Sequence, residues 1–79
     1  MTETTNTISG AGGDDTIAGT TNNDLIHAYS GTDTVNAGNG NDLVYGGAGD
    51  DTLNGNALSN VLEGNAGADS IFGGSGADT

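Results

Sequence analysis

The 79-residue sequence has no lysine, arginine, cysteine or proline, and each absence closes a class of function. Without a cationic side chain nothing neutralises phosphates, so nucleic acid and anionic membranes are repelled. Without cysteine there is neither a disulfide framework nor a thiolate metal site, and the redox compartment stays open. Two tyrosines and one phenylalanine are the only aromatics, and His27 is the single histidine. No nucleophile has a base to activate it, so an enzyme is not expected. The longest apolar run is three residues, which provides neither a membrane-spanning helix nor a signal-peptide core within these residues. Ile, Leu, Val and Phe total only thirteen against a formal charge of −11, a balance that ordinarily marks disorder. The length allows one small domain at most, and the natural partner of such a chain is a cation.

What the sequence does have is a period of nine. In rows of nine from Met1, the sixth column reads Asn6, Asp15, Asp24, Asp33, Asp42, Asp51, Asn60, Asp69 and Asp78. The eighth reads Ile8, Ile17, Ile26, Val35, Val44, Leu53, Leu62 and Ile71. Fifteen of the sixteen glycines lie in columns one, two and four, with Gly12 the exception. Columns one to six therefore read as a Gly-rich turn that needs unusual backbone angles, and columns seven to nine as a short strand with its aliphatic residue in the middle. No insertion disturbs the register.

These residues resemble the repeats-in-toxin (RTX) family, whose nonapeptide Gly-Gly-x-Gly-x-Asp-x-aliphatic-x binds calcium in a parallel β-helix. Residues 46–54, Gly-Gly-Ala-Gly-Asp-Asp-Thr-Leu-Asn, match at every fixed position, and Gly73-Gly74-Ser75-Gly76-Ala77-Asp78 matches as far as it runs. The resemblance covers the whole chain. It implies an all-β fold, a parallel β-roll (a right-handed β-helix or solenoid) with two repeats per coil and about four coils. Residues 1–9 keep only Asn6 and Ile8 of the pattern and read as a degenerate repeat or N-terminal cap, followed by the array over 10–79. The last repeat is incomplete, as expected of a piece of a longer protein.

In such a roll, turns eighteen residues apart stack. One edge carries Asp15, Asp33, Asp51 and Asp69, and the other Asn6, Asp24, Asp42, Asn60 and Asp78. At the ~4.8 Å strand spacing two carboxylates repel by roughly 3.5 kcal/mol at an effective dielectric near 20. A divalent cation between successive turns converts that repulsion into a clamp. Calcium fits because it accepts about 6–8 oxygen ligands in flexible geometry, whereas magnesium demands a tight octahedron and zinc or copper want His or Cys. Carboxylates are expected to supply part of each shell. Turn carbonyls freed by glycine supply the rest, at Gly10, Gly13, Gly31, Gly40, Gly46, Gly47, Gly49, Gly64 and Gly67. On ligand identity, strong sites fall between the turns of Asp15 and Asp33, Asp33 and Asp51, Asp51 and Asp69, and Asp24 and Asp42. Pairs that include Asn6 or Asn60 lose a charge and are expected to be weak or empty.

Other readings compete with these. The Asp column is also what a solvated charged edge looks like, but ninefold phase with flanking glycine favours ligation. Asp14 and Asp50, in column five, are expected to point outward, and His27 reads as a surface residue. Asn22, Ala28, Tyr29 and Leu58 depart from the glycine pattern. Asn22 replaces a glycine with the residue next most tolerant of a left-handed backbone, and Leu58 suggests packing rather than binding. One sheet is expected to show Leu25, Leu43, Tyr45 and Val61 outward, either as ordinary sheet residues or as a face for another domain or a second copy. The resemblance further implies a calcium-binding structural module of a secreted, extracellular protein exported by a type I system, folding when calcium binds. The alternative is an adhesion or ice-binding segment, on the rank Thr5, Asn23, Asn41 and Ser59.

Overall fold

The structure, a computed structural model, describes residues 5–74 and 76. Eight strands follow the aliphatic column: β1 (Thr5–Ser9), β2 (Thr16–Ala18), β3 (Asn23–His27), β4 (Thr34–Asn36), β5 (Leu43–Tyr45), β6 (Thr52–Asn54), β7 (Val61–Glu63) and β8 (Ser70–Phe72). A three-residue strand has too few hydrogen bonds and too little buried surface to persist alone. Here each pairs with the strand two further along the chain, giving two parallel four-stranded sheets in the orders β1-β3-β5-β7 and β2-β4-β6-β8. The register is the repeat itself: Ile8 lies opposite Ile26, Ile26 opposite Val44 and Val44 opposite Leu62. On the other sheet Ile17 meets Val35, Val35 meets Leu53 and Leu53 meets Ile71. Two repeats thus make one coil of an all-β parallel solenoid of about four turns, as expected.

Backbone bonds outside the strands lengthen each ladder. The column-one N–H donates to the column-nine carbonyl of the next coil, as from Gly46 to Glu63 at 2.7 Å. The column-seven N–H donates to the column-six carbonyl of the previous coil, as from Thr52 to Asp33 at 2.8 Å. Between the sheets lies a thin core of Ile17, Ile26, Val35, Val44, Leu53 and Leu62, with Ile8 packed against it. Ala28 and Ala37 join that core fully buried, so the replacement of leading glycine in those rows adds apolar filling. Ile71 departs from its column and is 46% exposed, because among the described residues no coil covers β8 on the side away from β6. Among the described residues no helix is long and apolar enough to cross a membrane.

The outer faces differ as the alternation predicts. Leu25, His27, Leu43 and Tyr45 stand half-buried on β3 and β5, and Val61 is exposed on β7. His27 stacks on Tyr45 with ring centroids 4.9 Å apart and on Tyr29 at 5.7 Å, which accounts for the lone histidine as part of a surface aromatic ladder.

Candidate metal centre

Strand pairing places the column-six side chains at the strand entrances, one above another on each edge. Their first carboxylate oxygen is spent on the coil before. Asp33, Asp51 and Asp69 accept the backbone N–H of Asp15, Asp33 and Asp51 at 2.8–2.9 Å. On the second edge Asp42 accepts from Asp24, and Asn60 from Asp42, both at 2.8 Å. Both predicted columns are therefore assembled as continuous ladders over the described residues, while Asp78 lies outside those residues.

The second oxygen divides the turns into two kinds. In the first coil it is capped within its own turn: the Ala11 N–H donates to Asp15 Oδ2 at 2.7 Å, and the Thr20 N–H to Asp24 Oδ2 at 2.8 Å. Further along, Oδ2 of Asp33, Asp42 and Asp51 is buried with no hydrogen-bond partner. Backbone conformation changes along with it. At column two Tyr29, Gly38 and Gly47 all have positive φ (72°, 85° and 86°), whereas Ala11 and Thr20, whose N–H groups cap the first-coil carboxylates, do not. Column four follows at Gly31, Gly40 and Gly49, with φ of 105–109°. Gly10 and Gly13, expected among the ligating turns, belong to the capped first coil, and neither is among the positive-φ residues. Nor is Asn22. Leu58 does adopt the left-handed conformation, at φ 72°, and is 54% exposed. The packing suggested for Leu58 is not observed.

Three buried carboxylate oxygens without a donor are costly. Burial pushes the Asp42 carboxyl up from 3.8 to about 6 against the opposing pull of the Asp24 N–H, and the Asp24 charge adds to the rise. Burial likewise raises Asp51, with the charges of Asp33 and Asp69 acting in the same direction. These groups lack a positive charge. The donor set matches a hard cation: oxygen only, with Gly46 leaving room where a Cβ would sit 2.7 Å from Asp51 Oδ2. Among the described residues no three His, Cys, Asp or Glu side chains converge on one point. A calcium shell here would therefore draw only part of its oxygens from carboxylates and the balance from backbone carbonyls or water. The residues fit calcium on those terms, and calcium would supply the missing positive charge.

Asp14 and Asp50 are exposed, as expected of column five, and in addition their Oδ1 atoms accept the N–H of Thr32 and Ala68 in the next coil, both at 2.8 Å. Asn23 and Asn41 do the same for the N–H of Asn41 and Ser59. Asx residues in column five reach forward one coil while those in column six reach back. The signal was present in the sequence, since Asp or Asn recurs at 14, 23, 41 and 50, but only stacking reveals which N–H each one meets.

A parallel solenoid with buried, cation-seeking carboxylates at its turns defines a repeat-built metal-binding protein. The RTX calcium-binding nonapeptide repeat matches in four overlapping copies, over residues 2–35, 9–44, 27–62 and 54–79, and the chain belongs to that family. No curated protein and no solved structure gives a significant match. The chain is accordingly a calcium-binding structural repeat of the β-roll type.

Proposed function

We propose that this chain is a calcium-dependent folding module of a secreted protein, disordered where calcium is scarce and folded outside the cell. The observation that carries the reading is the set of unpartnered buried oxygens on Asp33, Asp42 and Asp51. The metal-free roll must leave them unsatisfied, so a cation bound there stabilises the fold relative to the disordered chain. With a thin aliphatic core and quasi-one-dimensional stacking, that contribution is large enough to decide whether the array folds. Several calcium ions bind along 10–79. The Asp33–Asp51 pair forms the strongest site, because both of its second oxygens lack a donor. Asp51–Asp69 follows. The Asp15–Asp33 and Asp24–Asp42 pairs are weaker than ligand identity alone suggests, since Asp15 and Asp24 are already capped by Ala11 and Thr20.

Export by a type I system accords with this design, as calcium outside the cell would fold a chain that left it unfolded. The module itself carries out no chemistry. The ice-binding alternative loses support because the amide oxygens of Asn23 and Asn41 are engaged in the backbone ladder. Calorimetric calcium titration of isosteric variants tests the reading. Asp33→Asn and Asp51→Asn are expected to lower the number of ions bound, while Asp14→Asn and Asp50→Asn keep the wild-type number. Equal stoichiometry in all four variants would overturn the site assignment.

A further inference from the structure

The turn over 55–60 solves the problem of the buried second oxygen in a different way. Asn60 is 1% exposed and occupies the column-six position, with Oδ1 accepting the Asp42 N–H at 2.8 Å as its aspartate counterparts do. Where Asp33, Asp42 and Asp51 present an unpartnered Oδ2, Asn60 presents an amide nitrogen. That nitrogen donates to the carbonyl oxygens of Ala57 at 3.3 Å and Leu58 at 3.5 Å. Its turn keeps the backbone form of the cation-seeking turns, with positive φ at Asn56 (71°) and Leu58 (72°). The backbone is thus that of a metal turn, but the side chain brings its own positive end to the turn carbonyls. An amide group satisfies from within the oxygens that a cation would otherwise draw together.

The same edge is closed by an amide at its other end. Asn6 Nδ2 donates to Asp24 Oδ1 at 3.2 Å and to Thr20 Oγ1 at 3.0 Å. The Thr20 hydroxyl also donates to Asp24 Oδ1 at 2.9 Å, and its N–H caps Asp24 Oδ2. Between the two asparagines, Asp42 alone retains an unpartnered buried oxygen, whereas the opposite edge retains two, at Asp33 and Asp51. The two edges therefore differ in how much of their closure depends on an ion.

We infer that Asn60 is an internal substitute for calcium, closing the turn over 55–60 without metal and making the Asn6–Asp24–Asp42–Asn60 edge the less calcium-dependent side of the roll. The inference rests on the calcium reading proposed above. It requires that exchange of amide and carboxylate at column six trade ion number against metal-free structure, in opposite directions at positions 60 and 42.

The test combines calorimetric calcium titration with far-ultraviolet circular dichroism in excess chelator, the latter at a stabilising osmolyte concentration that brings the otherwise disordered metal-free wild type into partial folding, on wild type, Asn60→Asp and Asp42→Asn. Asn60→Asp is expected to bind one more calcium per chain and to show less β-structure in chelator than wild type. Asp42→Asn is expected to bind one fewer and to show more. An Asn60→Asp chain with the wild-type ion number, or with undiminished structure in chelator, overturns the role of Asn60. Should Asn60→Asp fail to fold even in calcium, Asp42→Asn decides alone, and unchanged ion number or unchanged metal-free structure overturns the inference. A wild-type chain that takes up no calcium overturns the calcium reading itself. Calcium uptake by wild type with both variants unmoved overturns only the amide substitution.

Discussion

At the scale of single residues, one repeat position means different things in different coils. Gly13 and Gly49 both occupy column four, yet a Cβ on Gly13 would meet nothing within 4 Å. At Gly49, where φ is 109°, a Cβ would run into the Gly31 carbonyl of the coil below. Gly13→Ala is therefore expected to change stability by no more than about 0.5 kcal/mol. Gly49→Ala should cost about 1–3 kcal/mol, from the left-handed backbone and the blocked carbonyl together. Thermal melts of the calcium-saturated variants compare the two, and equal melting points would contradict the assigned turn conformations. The sequence made the glycine columns plain but did not reveal this difference, because it depends on whether a coil is stacked beneath the turn. Nor did glycine count predict conformation, since Tyr29, Asn56, Leu58 and Asn65 all hold positive φ without being glycine. Neighbouring coils impose the turn shape on side chains that resist it.

At the scale of elements, strands and sheets were almost fully legible. The aliphatic column places β2 and β4 to β8 at columns seven to nine, and the two-repeat coil that the family resemblance implies, not the ninefold period itself, sets every pairing at eighteen residues. With that coil size given, each strand's register follows from the repeat and no long-range pairing has to be guessed. The side-chain ladders were only half legible. Column six stands out by its charge, whereas the opposing bonds of column five, from Asp14, Asn23, Asn41 and Asp50, depend on which N–H the stacking brings beside each residue. Those bonds lie at exposed positions, so their contribution is modest. Asp50→Ala removes the acceptor of the Ala68 N–H and is expected to cost about 1 kcal/mol, with the calcium number unchanged. Chemical denaturation in saturating calcium measures the loss, and a calcium number reduced by one would reassign Asp50 as a ligand.

At the scale of the whole molecule, the excess of acid is a property of the metal-free state. Buried carboxyls such as Asp42, raised to about 6, bind protons more tightly in the roll than in the unfolded chain, where the ordinary value is 3.8. Between those values the folded form holds more protons, so its stability rises as pH falls through about 6 and is lost as pH rises again. Loss of mutual repulsion acts in the same direction. Protein freed of metal by dialysis is therefore expected to gain β-structure between pH 7 and pH 4.5, and a monotonic loss over that interval would contradict the burial of these carboxyls. On the proposed reading, calcium supplies at neutral pH what protons supply in acid, and so lets a chain of charge −11 with thirteen large apolar residues fold. The most direct measurement is a calcium titration at neutral pH followed by far-ultraviolet circular dichroism, starting from excess chelator. The account predicts a largely disordered spectrum that becomes β-rich as several calcium ions bind per chain, with magnesium unable to replace them. A β-rich spectrum in excess chelator that calcium leaves unchanged would contradict it.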